Sequence, residues 1–66
     1  MTNEQKKQII QREIEGIKQE MYPLEVRARV SKKVGDNELN KRVMAELEKL
    51  EKYLDAYGQE LDAIKD

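Results

Sequence analysis

Neither cysteine nor histidine occurs in this chain, and the two absences remove most of the usual catalytic and metal-binding chemistry. Without cysteine there are no disulfide staples and no thiolate metal sites. Without histidine the commonest general base and the imidazole zinc ligand are gone as well. Phenylalanine and tryptophan are also missing, so three tyrosines supply all the aromatic surface. A chain of 66 residues buries only about 60% of the surface it exposes when unfolded. With so few large side chains a solitary core is marginal, and self-association or an obligate partner is the common remedy. No run approaches the ~20 apolar residues that span a bilayer. The opening MTNEQKKQII lacks the apolar segment of a signal peptide. The expectation is a cytoplasmic protein.

What is present is charge in both signs. Charged residues make up 41% of the chain while the formal net charge is −1, a composition rich in Glu, Lys, Leu and Ala that suits solvated helices and coiled coils. Thr2-Asn3-Glu4-Gln5 fits the capping box that opens a helix. Behind it Ile10, Ile14, Ile17, Met21 and Leu24 follow the alternating spacing of four and three that marks a heptad seam. Gly35-Asp36-Asn37-Glu38 is the one strong turn signal: Gly35 can end a helix in the left-handed conformation, and Asp36 can cap the next. From there Val43, Leu47, Leu50, Leu54, Tyr57, Leu61 and Ile64 form a second, unbroken seam.

The middle of the chain reads two ways. YPLEVRARV, residues 22–30, alternates apolar and polar side chains as a strand would. No second strand is available to pair with it, so a strand would need the same segment from another copy. As a helix, 24–34 uses good formers, and Pro23 can occupy a first helical position. The first seam projected forward lands on Ala28 and near Ser31, leaving Val26, Val30 and Val34 on roughly the opposite side. Matched lengths favour the helix. The predicted architecture is all-α, one domain: a helix over about 3–34 kinked or broken near Tyr22–Pro23, a turn at 35–36, and a helix over about 37–65. Together they form an antiparallel helical hairpin or coiled coil, expected to be oligomeric.

Little here can carry catalysis. Ser31 is the only serine and has no histidine to activate it. The glutamates lie among polar helix positions, where an ordinary solvated face accounts for them. Asp36, Asn37 and Glu38 lack the further spaced ligands of a calcium loop, and the three glycines lie too far apart to cradle phosphate. The chain reads as a non-enzyme without cofactor or metal. Charge distribution says more. Arg27, Arg29, Lys32, Lys33, Lys41 and Arg42 form a basic cluster against Asp36 and Glu38, whereas 43–66 holds seven acids and three lysines.

A capped first helix, a Val-Gly-Asp turn and a Leu-rich second helix resemble many short reading frames of phages and mobile elements of Gram-positive bacteria. The resemblance transfers no residue role, but it implies a stoichiometric inhibitor or an assembly accessory. The expectation is therefore a small protein-binding module that self-associates, with Tyr22, Val26, Val30 and Val34 as candidate interface residues. The alternative is a nucleic-acid-binding accessory using the basic segment 27–42.

Overall fold

The computed structural model describes residues 1–65, and its described residues form two helices, α1 (Asn3–Val34) and α2 (Asn37–Ala63), packed against each other as a hairpin. The molecule is a rod about 50 Å long and 15 Å by 12 Å in section. Local chemistry sets the ends of both helices. Thr2 caps α1: its side chain accepts from the Gln5 backbone N–H at 3.1 Å, and the Gln5 side chain accepts from the Thr2 N–H at 3.0 Å. Those reciprocal bonds satisfy two amides that the first helical turn leaves without partners.

The turn between the helices has only two residues. Gly35 adopts φ 81°, in the left-handed region where a Cβ is costly. Its N–H donates to the Lys32 carbonyl at 3.2 Å, and the Asp36 N–H donates to the Ser31 carbonyl at 2.9 Å. That paired reversal is the Schellman closure of a helix. The Asp36 carboxylate then accepts from the Leu39 N–H at 3.1 Å and starts α2.

The helix assignment runs without interruption through Tyr22 and Pro23. The expected break there is corrected, and the strand alternative for 22–30 does not occur. Pro23 removes one helical hydrogen bond and crowds the carbonyl four residues earlier, at a cost of about 3 kcal/mol. The seam explains why the helix persists. Met21 on one side of the proline and Ala28 on the other are buried, with Leu24 packed against the same core. Burying a side chain such as Met or Leu is worth roughly 1.5–3 kcal/mol, so unwinding here would sacrifice more than the proline costs. Pro23 itself is exposed, pointing its strain at solvent.

The first seam keeps its phase beyond the proline. Ile10, Ile14, Ile17, Met21 and Leu24 continue with Ala28 and Ser31, all buried or half-buried. Counting outward from the Gly35–Asp36 turn brings Ser31 level with Asn40, Ala28 with Val43, Leu24 with Leu47 and Met21 with Leu50. The core consists of Met21, Ala28, Val43, Leu47 and Leu50, with Ile17, Leu24, Leu39 and Leu54 packed on it. It lies in the half of the rod nearer the turn.

Candidate functional site

One layer of the seam is polar. Ser31 is only 3% exposed, and its hydroxyl donates to the Ala28 carbonyl at 3.0 Å. Asn40 reaches across from α2, its amide nitrogen donating to the same carbonyl at 2.8 Å and to Ser31 Oγ at 3.2 Å. A buried polar group is costly unless hydrogen-bonded, and here each finds a partner. Such a layer also opposes sliding of one helix along the other, since a shift would strand the Asn40 amide against apolar side chains. Asn40 occupies the seam position three residues before Val43, where an apolar residue would ordinarily stand. At the far end of the rod, the Asn3 side chain donates to the Lys65 carbonyl at 2.7 Å.

The surface is where the chain can meet other molecules. Tyr22, Val30 and Val34 are 64%, 51% and 74% exposed, and Val26 is half-buried. On α1 they are four residues apart, on the face turned away from the α2 contact. Tyr22, Pro23, Val26, Arg27 and Val30 line one open depression, while Val34 lies beyond it beside the turn. Arg27, Arg29, Lys32, Lys33, Lys41 and Arg42 are all exposed. The hairpin gathers them from two helices around one end of the rod.

Two further depressions lie in the other half. Tyr53, Ala56, Tyr57, Gln59 and Glu60 line one, on α2. Met1, Lys6, Ile9 and Ile10 meet Glu60, Ala63 and Ile64 around the other, where the helix ends come together. Glu60 lines both, so the two depressions are neighbours on the surface. Sequence reasoning gave Ile9, Ala56 and Ala63 no role. The signal that would have found Ala56 and Ala63 is their spacing of seven on α2.

No cluster among the described residues could hold a metal ion, and no helix among them is long and apolar enough to cross a membrane. Every buried side-chain nitrogen or oxygen among them has a hydrogen-bond partner, so no polar group waits in the core for a ligand. The chemistry on offer is an apolar and charged surface. Comparison with protein families, with curated proteins and with solved structures finds no match.

Proposed function

We propose that this protein is a non-enzymatic protein-protein interaction module of the cytoplasm, a helical hairpin that self-associates and serves as an assembly accessory or stoichiometric inhibitor. The observation that carries the reading is apolar side chain left in solvent on a rod whose own seam is already formed. Tyr22, Val30, Val34, Ile9, Met44 and Tyr53 are all more than 40% exposed. A core of five buried apolar residues stabilises a lone chain of this size by only a few kcal/mol. Covering the exposed set in an oligomer adds roughly 25 cal/mol for each Å² of apolar surface removed from water. A bend of α1 at Pro23, which leaves the Gln19 carbonyl without its helical donor, belongs to the same reading because it would shape the outer face for a partner.

Sedimentation equilibrium at micromolar concentration tests the proposal. The expected result is a dimer or higher oligomer, and a well-folded monomer would overturn self-association. Val30→Asp is expected to weaken the assembly while leaving helix content unchanged.

One observation favours a second reading. Six exposed cations surround the turn, and clustered Lys and Arg bind phosphate backbones through counterion release. Nucleic-acid binding through this end predicts mobility-shift retardation that weakens steeply with salt and with loss of Arg27, Arg29, Lys32 and Lys33. No retardation at low ionic strength removes this alternative.

A further inference from the structure

The outer face of α1 changes character at Tyr22. At 3.6 residues per turn, Tyr22, Val26, Val30 and Val34 form one stripe on the side away from α2. Val26 is half-buried and the other three are exposed. At 1.5 Å per residue the stripe is about 18 Å long. Glu15 and Gln19 hold the same face one heptad earlier, both exposed, so the apolar surface begins at Tyr22. Its first two turns are hollow, forming the depression that Pro23 and Arg27 also line.

The edges of this stripe are basic. Arg27 borders it on one side, Arg29 and Lys33 on the other, and all three are exposed. None of them lies within ion-pair distance of a carboxylate among the described residues. Lys33 falls in the last turn, where a cation opposes the helix dipole. Arg27 and Arg29 stand further back, and the dipole effect fades within that turn. Glu25 is the one acid between Tyr22 and Gly35. It is half-buried and lies with Lys32, seven residues on, nearer the seam. Glu20 stands ahead of the stripe, and Asp36 is engaged in capping α2.

Apolar side chains between two edges of unpaired cations complement a helix that is apolar on one face and carries carboxylates beside it. A phosphate backbone would meet the cations and leave the valines in water. An anionic bilayer is entered by Trp, Phe and Leu side chains, none of which the stripe carries. A second copy offering the same stripe would set Arg27, Arg29 and Lys33 against their own equivalents, a like-charge contact.

We infer that the outer face of α1 over 22–34 docks an acidic amphipathic helix of a different protein. The valines take its apolar side, and Arg27, Arg29 and Lys33 take its carboxylates. The inference rests on the reading of the chain as an interaction module and departs from it at one point. Self-association would use exposed side chains elsewhere, such as Ile9, Met44 and Tyr53.

A labelled synthetic helix of about four turns, with leucine along one face and glutamate at its edges, is the probe for fluorescence anisotropy with the full chain. It is expected to bind, and the same peptide with lysine for glutamate to bind about tenfold more weakly or worse. Arg27→Glu combined with Arg29→Glu should weaken binding of the glutamate peptide by about tenfold with unchanged helix content. Val30→Asp should weaken it as well. Lys41→Glu combined with Arg42→Glu makes the same change of net charge on α2 and should leave binding intact. Equal affinity for the two peptides, or equal losses from the two charge-reversed pairs, overturns the inference. Tighter binding of duplex DNA or of phosphatidylserine vesicles than of the glutamate peptide overturns it too. A glutamate peptide that fails to bind overturns this inference alone, and an oligomer that then dissociates on Val30→Asp gives the stripe to a second copy. A monomeric chain that binds the peptide overturns self-association and supports the docking site.

Discussion

The half of the rod nearer the turn and the half that ends at the two termini are built from the same heptad pattern and pack differently. Near the turn, Met21, Ala28, Ser31, Val43, Leu47 and Leu50 are all buried. Toward the open end, Ile10, Ile14, Ile17, Leu54, Tyr57, Leu61 and Ile64 hold the same seam positions and are only half-buried. The difference follows from side-chain size and from the tether. Ala28 and Ser31 are small enough for the helices to approach closely, and the two-residue turn fixes their separation there. Beyond Met21 the seam of α1 is isoleucine, facing leucine and Tyr57 on α2. Across that end the Asn3 side chain donates to the Lys65 carbonyl. One half therefore holds the buried core, and the other is a seam whose apolar side chains are only half-covered.

The sharpest way to break the contrast is to truncate one side chain in each half. Leu47→Ala removes a residue only 8% exposed and should cost about 2–4 kcal/mol, enough to unfold much of a chain this small. Leu61→Ala, at an equivalent seam position in the open half, should cost roughly 1 kcal/mol because part of that side chain already lies in water. Urea titration followed by circular dichroism reads both, and equal losses would show that the halves are not energetically distinct.

Gly35→Ala comes next. Forcing a Cβ into a φ of 81° costs about 1–2 kcal/mol, lowering the urea midpoint although no neighbouring atom lies within 4 Å of the added carbon. Asn40→Ala should cost about 1 kcal/mol, the usual net worth of a hydrogen bond. Asn40→Leu would restore apolar packing at that layer and loosen the register, seen as broadened amide resonances at 28–31.

Thr2→Ala sharpens the comparison at its weakest point. It removes the capping bond at the open end and should cost about 0.5–1 kcal/mol. Most of the effect should appear as faster amide exchange over the first turns of α1, with amides near Ala28 and Val43 unchanged. If exchange quickens equally at both ends, the hairpin opens as one unit instead of fraying from its termini.

Much of the hairpin was legible because its signals are local or periodic. The Thr2–Gln5 box and the Gly35–Asp36 turn work through short-range bonds whose donors and acceptors are adjacent in the chain. The second seam repeats without a break. At Pro23 local rules pointed to an interruption, since a proline disfavours helical conformation at the residue before it, and packing over the neighbouring turns overrode them. Asn40 escaped notice because a polar residue in an apolar repeat looks like the end of the pattern until Ser31 is seen opposite. The apolar depression of the open end was hidden for another reason: Ile9 and Ala63 lie at opposite ends of the sequence and become neighbours only when the hairpin closes.

By itself, the sequence determined that the chain is helical, where each helix is capped, where the chain reverses, and that disulfide and histidine chemistry are absent. Those properties depend on residue type and on contacts within a few positions. Tertiary structure decided that α1 passes through Pro23 in one phase, that Ser31 and Asn40 share a polar layer in the seam, and that the buried residues lie in the half toward the turn. Each of these depends on how closely two distant segments approach, a distance that neither helix specifies alone.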